Sequence, residues 1–344
     1  MARPGHAAGR RVLVTGAGGF IGAEMVRLLA AGGAGQIVLL DTAEQPLFRI
    51  HAEMTAEGHG DRCVPVLGSV CNRSLLQAVF AEYGPKLVLH AAALKHVPLM
   101  ERNPLAAMET NALGTWRLAQ AAQAHGACAL ILVSTDKAVA PHSIMGAAKR
   151  IAELAMLAEA GRGAMRCAAV RLANVIGSPG SVGPLFQEQI ARGGPVTVTH
   201  PGAKRYFLTL AEVGALLAQA LNSVTAEGVV IPDPGAAVRI TDLARRMMEA
   251  AGREVPIVFV GLRPGDKLDE SLAGPDERDV GPATPGLRRV RSPGAPDLAV
   301  RLGELEAAIP ARDLPALLRV TQELVPGYEP SALLRESIAE LARP

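Results

Sequence analysis

Ser134-Thr135-Asp136-Lys137 places two hydroxyls, a carboxylate and an ammonium group in a row, directly after the apolar run Ala129-Leu130-Ile131-Leu132-Val133. The apolar run has the length of one buried strand. Polar and charged groups at the end of such a strand are tolerated where they face a site. Pro141, His142 and Ser143 then break the chain, and a helical pattern opens near Met145, with Lys149 on its first turns. A strand end and a helix start therefore present Thr135, Asp136, Lys137 and Lys149 together. These types supply a hydroxyl donor, an acid, a base and a second cation, which is a set suited to moving protons. Open α/β sheets bind ligands at this carboxyl edge.

The elements upstream supply a neighbour for that set. Arg11-Val12-Leu13-Val14-Thr15 reads as a first strand, and Gly16-Ala17-Gly18-Gly19-Phe20-Ile21-Gly22 leads into a helix ending near Ala31. Glycines at 16, 19 and 22 keep the turn tight, let backbone approach a pyrophosphate, and let the helix pack on the strand. The strand-to-helix context gives weight to a glycine pattern that means little alone in a chain with 36 glycines. Asp41 ends a second strand at 37–40, about 20 residues past the glycines, where an acid binds both ribose hydroxyls. Its charge opposes a 2′-phosphate, so the cofactor expected is NAD and not NADP; the competing reading is that Asp41 caps a helix. Ala91-Ala92-Ala93, after a strand at 87–90, lets a ribose and pyrophosphate lie against backbone.

Strands at 11–15, 37–40, 64–67 and 129–135, and a strand and turn at 87–93, alternate with helices after Gly22 to about 31 and at 74–83, 104–125 and 145–160. This rhythm predicts an α/β fold with a Rossmann-type, doubly wound parallel sheet. A smaller C-terminal α/β substrate-binding region follows. The expected organisation is a flexible arm at 1–10, an NAD-binding Rossmann domain at 11–177 and a substrate-binding region at 178–272. Residues 273–344 read as a Pro- and Gly-rich linker or exposed loop to 296, then C-terminal helices.

Composition narrows the partners. The net charge is +2 and the 35 basic residues are scattered, which argues against nucleic acid. The four cysteines lack CxxC spacing, so no metal is expected and a reducing cytoplasm fits. No apolar run reaches a membrane span of ~18 residues, and residues 1–11 lack the apolar core of a secretory signal.

Five stretches carry a resemblance: residues 16–22; His90 to Glu101 (HAAALKHVPLME); Ser134 to Ala138 with Met145 to Arg150; Gly194 to Pro201 with Arg205-Tyr206-Phe207; and Arg263-Pro264-Gly265-Asp266-Lys267. The chain resembles an extended short-chain dehydrogenase/reductase, and more closely the UDP-N-acetylglucosamine 4,6-dehydratases of bacterial polysaccharide biosynthesis, the CapD-like family, over roughly residues 10–272. The resemblance implies NAD oxidation at carbon 4 of a UDP-sugar, water elimination across carbons 5 and 6, and hydride return to carbon 6. It implies catalytic roles around Thr135, Asp136, Lys137, Met145 and Lys149. Asp136 is the acid and Lys137 the base, whose pKa must be lowered by burial or by a cation such as Lys149. Thr135 bonds the oxygen on carbon 4, and Lys149 the nicotinamide ribose.

Met145 stands where the superfamily has Tyr, as in the membrane-type branch, and its thioether cannot take the carbon 4 proton. Asp136, or water through Thr135 and Lys149, are the alternatives. Cofactor contacts fall on Gly16, Gly18, Gly19, Phe20, Ile21, Gly22, Asp41, Ser69, Val70, Ala91, Ala92, Ala93 and Lys149, with Ser69 and Asn72 in place of expected Asp residues. Asn174, Arg205 and Arg263 fall where the family binds the nucleotide phosphates, for which a planar guanidinium is suited. Lys95 and His96 either line the sugar pocket or pack the loop under it. Longer members of the family carry an N-terminal membrane region, and none is read here. A homo-oligomer, dimer or higher, is expected through helices 104–125 and 145–160. The competing functions are a nucleotide-sugar epimerase and a catalytically silent NAD-binding scaffold.

Overall fold

The computed structural model describes residues 7–222, 227–233 and 235–341. Most of the arm expected at 1–10, and positions 223–224 of a helix expected at 210–224, lie outside the described residues. Among the described residues the main sheet has seven parallel strands: β1 (Arg11–Thr15), β2 (Gln36–Asp41), β3 (Cys63–Leu67), β4 (Leu87–His90), β5 (Ala129–Thr135), β6 (Arg166–Leu172) and β7 (Gly228–Pro232). An antiparallel hairpin, β8 (Arg278–Thr284) and β9 (Leu287–Arg291), extends it, giving the order β8-β9-β7-β6-β5-β4-β1-β2-β3. The strand order reverses between β1 and β4, and such a reversal opens a crevice at the carboxyl edge.

The inner strands β1, β2, β4, β5 and β6 are apolar along almost their whole length because both faces are covered, as parallel sheets require. One face buries α1 (Phe20–Ala31) and α2 (Glu44–Ala56). The other buries α3 (Arg73–Tyr83), α4 (Gly114–Ala124) and α5 (Ile144–Ala160). The helix expected over 104–125 is interrupted by a wide π turn at Met108–Leu113. The helix α2 had no counterpart in the sequence reading.

Residues 273–296 are not a linker. They hold the β8–β9 hairpin, whose Leu287 and Val290 are buried. Gly281 and Pro282 hid this, since they interrupt strand patterning. The register shifts on both sides of Pro282, and a sheet edge accommodates proline in that way. The boundary at 177 is also crossed, because β7 pairs with β6 inside the main sheet.

Beyond α6 (Val182–Ala191), α7 (Leu210–Asn222) and α8 (Ile240–Ala250), the chain ends in α9 (Leu298–Ala308), α10 (Leu314–Leu324) and α11 (Ala332–Leu341). Leu302, Leu305, Leu317 and Leu318 are buried in one cluster with Trp116, Ile144 and Ile151. The C-terminal helices therefore cover faces of α4 and α5, the helices through which a homo-oligomer was expected. Among the described residues no helix is long and apolar enough to cross a membrane.

Candidate active site

β5 ends in Thr135, and Asp136-Lys137-Ala138 forms one tight helical turn. Thr135 Oγ1 accepts from the Lys137 N–H at 3.3 Å and donates to Asp136 Oδ1 at 2.9 Å. Ser143 caps α5 by accepting from the Gly146 N–H at 3.1 Å. A Cβ on Gly146 would lie 2.2 Å from the Lys137 carbonyl oxygen, so glycine is what lets α5 press against this turn.

Asp136 is fully buried, and Lys137 Nζ lies 2.9 Å from its Oδ1. The ammonium also sits 3.8 Å from Glu270 Oε1 and 3.5 Å from Asn174 Oδ1. Glu270 Oε2 faces Lys267 Nζ at 3.8 Å, and that lysine donates to the Val139 carbonyl. Among the described residues two buried carboxylate oxygens accept no hydrogen bond, Asp136 Oδ2 and Glu270 Oε2, and both are in this cluster. Buried acceptors left without donors are costly, which makes the cluster a candidate for binding another molecule.

The charges here differ from the expected pattern. Burial opposes the ammonium of Lys137, but Asp136 and Glu270 outweigh it and raise its pKa. The expectation of a lowered Lys137 pKa is thus not met in the resting site. The cation acting on Lys137 is Arg205 and not Lys149. It is Lys149 that burial lowers, to about 8, and its Nζ donates to the Val133 carbonyl at 2.8 Å. Burial, with a smaller push from Asp136, raises the pKa of Glu270 against the pull of Lys137 and Lys267. Glu270 was missed from the sequence; its signal was an acid three residues after Lys267, in the stretch that follows the Pro264-Gly265 turn.

The glycine turn lies at the same edge. Gly16 has φ +67°, and a Cβ there would lie 2.6 Å from Ala92 N. A Cβ on Gly22 would lie 1.9 Å from the Gly16 carbonyl oxygen. No side chain caps α1 and no acid occupies its first turn, which begins with Phe20 and Ile21, so its amides are open to an anion. Asp41 accepts from the Gly18 and Ala43 N–H groups, each at 2.9 Å, and so ties the turn to the start of α2. Each of its oxygens keeps acceptor capacity for a ribose. Ser69 Oγ accepts from the Cys71 N–H, Val70 is buried against Gly114, and Asn72 caps α3.

Beneath Ala91 and Ala93, His90 is buried and neutral, its pKa lowered to about 3 by burial. Thr115 Oγ1 donates to the Asn111 carbonyl, so His90 Nε2 donates to Thr115 and Nδ1 accepts from Thr15 Oγ1 at 2.7 Å. The Asn111 side chain holds Leu94 by both its N–H and its carbonyl.

The remaining expected residues are placed as follows. Lys95 Nζ donates to Ser178 Oγ at 2.6 Å and to the Pro179 carbonyl at 3.0 Å, and the His96 ring packs beside Gly180. Both therefore hold the loop at 177–181. Arg205 donates to the carbonyls of Lys204, Lys267 and Leu268, so its guanidinium positions the segment that carries Glu270. Arg263 is 56% exposed and paired with Asp266, apart from the buried cluster. Asn174 Nδ2 donates to the Tyr206 carbonyl. Met145 is buried in an apolar cluster with Val97 and Met100. Among the described residues no group of side chains has the makings of a metal site.

The chain is 42% identical over 274 residues to the capsular polysaccharide biosynthesis protein CapD of Staphylococcus aureus, covering 78% of this chain and 46% of that protein. It spans about half the length of the curated relatives it matches first. Among solved structures, Pen from Bacillus thuringiensis superposes with a TM-score of 0.75 at 26% identity, over 84% of this chain and 88% of that one. The dTDP-glucose 4,6-dehydratase DesIV of Streptomyces venezuelae, solved with NAD and TYD bound, gives 0.68 at 25% identity, over 77% and 88%. The family model described as polysaccharide biosynthesis protein matches residues 12–290, and the chain belongs to that family.

Proposed function

We propose that the chain is an NAD-dependent nucleotide-sugar 4,6-dehydratase that converts UDP-N-acetylglucosamine to a UDP-4-keto-6-deoxy-hexosamine. The observation that carries this reading is the cluster of Asp136, Lys137 and Glu270, with two buried oxygens lacking donors, beside an open glycine turn. The turn fits the cofactor: backbone contacts that a Cβ would abolish, uncapped amides for a pyrophosphate, and Asp41 for the adenosine ribose. NAD supplies the hydride acceptor and donor that such a reaction requires.

The protein's own groups then move the protons. Asp136 Oδ2, which lacks a donor, receives the proton of the carbon 4 hydroxyl and passes it to the hydroxyl leaving carbon 6. The Thr135 hydroxyl fixes Asp136 and bonds the carbon 4 oxygen. The Lys137 amine takes the carbon 5 proton and returns a proton there once water has left. Lys149 holds the nicotinamide ribose. Arg263 contacts the diphosphate from the exposed loop, and Asn174 the nucleotide side of the sugar.

The test is incubation with UDP-N-acetylglucosamine in heavy water, read by mass spectrometry. A product lighter by one water and carrying deuterium on carbon 5 supports the reading. An isomer of unchanged formula points to an epimerase, and an unaltered substrate to a silent scaffold.

A further inference from the structure

The reaction proposed above needs Lys137 as a free amine, whereas the resting site holds it as an ammonium between two carboxylates. We propose that Glu270 accepts the surplus proton of Lys137 and keeps it while the amine works on carbon 5. This rests on the dehydratase reading. Three features of the geometry carry it. Glu270 Oε1 is 3.8 Å from Lys137 Nζ, within the reach of a small side-chain adjustment. Its carboxylate is only 3% exposed, so bulk water does not compete for the proton. Its Oε2 accepts no hydrogen bond, so the ionised form is held only by the nearby charges of Lys137, Lys267 and Arg205.

Of the groups facing Glu270, Asp136 favours its neutral form, while Lys137, Lys267 and Arg205 favour the ionised one. Lys137 and Asp136 approach from the end of β5, Lys267 from its own segment, and Arg205 from the strand at Lys204–Arg205. Lys267 is committed to the Val139 carbonyl and Arg205 to three backbone carbonyls, which leaves Lys137 as the proton donor. Burial shifts Glu270 towards its neutral form, in the same direction.

The protons balance. The resting ammonium and carboxylate become an amine and a carboxylic acid by one transfer, with no change of net charge. The amine then takes a proton from carbon 5 and gives one back, ending as an amine. The Asp136 carboxylate takes the carbon 4 hydroxyl proton and loses it to the departing water, ending as a carboxylate. Glu270 keeps its proton throughout and returns it to Lys137 when product leaves. Glu270 is thus a proton partner acting through Lys137, and it does not touch the sugar.

The consequence is a rate without pH dependence. Because the proton moves inside the pair, the amount of free amine is constant between the titration of the carboxyl and that of the ammonium. In Glu270→Gln the proton must leave to solvent, and the amine increases about tenfold per pH unit. The experiment measures dehydration, and deuterium entry at carbon 5, against pH across the neutral range for the parent, Glu270→Gln and Glu270→Asp. The expected result is a flat parent profile, a profile climbing about tenfold per unit for Gln, and a flat one for Asp.

A Gln variant whose rate falls equally at every pH makes Glu270 structural and overturns the proposal. A parent profile that itself climbs through neutrality overturns it without any variant. A parent that forms no dehydrated product overturns the dehydratase reading instead, and this one with it.

Discussion

Two sets of buried carboxylates surround the end of β5. Glu153 accepts from Ser134 Oγ, from Nε and Nη2 of Arg171 and from Arg150, at 2.6 to 3.0 Å. Glu277 accepts from both terminal nitrogens of Arg171, from the Gly274 N–H and from Ser292. Every lone pair in that network has a use, and it ties β5, β6, α5 and the start of the hairpin together. In the second set, Asp136 and Glu270 share the cation Lys137, and each keeps one oxygen without a donor. The difference separates structure from chemistry. A saturated ionic network ties the strand end to its neighbours, and the unsaturated one beside it keeps acceptors free, as the proposed reaction requires. Buried charge marks both, so burial alone would not have told them apart.

The comparison is broken most directly by removing charge from each set. Asp136→Asn is expected to reduce turnover by about 10²–10⁴-fold, the usual range for a positioned proton-transfer group. Its urea midpoint should stay near the parent's, since the change relieves an unsatisfied carboxylate. A large loss of stability with intact turnover would reverse the assignment.

Glu153→Gln should do the opposite. Breaking a buried pair from one side typically costs about 3–5 kcal/mol, because the partner charge loses its compensation; Arg171 here keeps only Glu277, so a cost towards the lower end is expected. Chemical denaturation reads this directly.

The acid limb of stability sharpens the same contrast. Arg171 and Arg150 hold the pKa of Glu153 down to about 2, against an ordinary 4.5. A depressed carboxylate contributes stability above its unfolded pKa and loses it as pH falls through its folded one. The parent should therefore lose stability from about pH 4.5 downwards, and Glu153→Gln should show a shallower limb in thermal melts across that window.

The smallest effect is expected at Asp41, a carboxylate intermediate between the two sets, with two amide donors and capacity left. Stripped protein should bind NAD more tightly than NADP by calorimetry. Asp41→Asn should reduce that preference by about tenfold, the worth of one modest charge contact. Equal affinities in the parent would remove Asp41 from the ribose site.

Much of the fold was legible because its signals are local. The apolar runs at 11–15, 129–135 and 87–90, and the glycine turn between strand and helix, each fall where sequence pattern placed them. What was missed depends on distant pairing. The β8–β9 hairpin is held to the sheet by β7, and its own residues carry Gly281 and Pro282, which read as a break. Glu270 lies far along the chain from Lys137, and two bonds from Arg205 to the carbonyls of Lys267 and Leu268 help to hold its segment in place. A phosphate-binding pattern around Arg205 gave no sign that its guanidinium is engaged by backbone. The raised pKa of Lys137 is likewise a property of assembled neighbours, which residue types in a row do not disclose.

The most direct measurement of the central claim, that the unsaturated cluster performs the carbon 5 proton transfer, uses Lys137→Ala with UDP-N-acetylglucosamine in heavy water. Two signals are followed together: the near-ultraviolet band of reduced nicotinamide, and deuterium at carbon 5. The account predicts that the band rises and persists, since oxidation at carbon 4 does not need the lysine, while deuterium stays out of carbon 5 and no dehydrated product forms. Dehydrated, deuterated product released at the parental rate would contradict it.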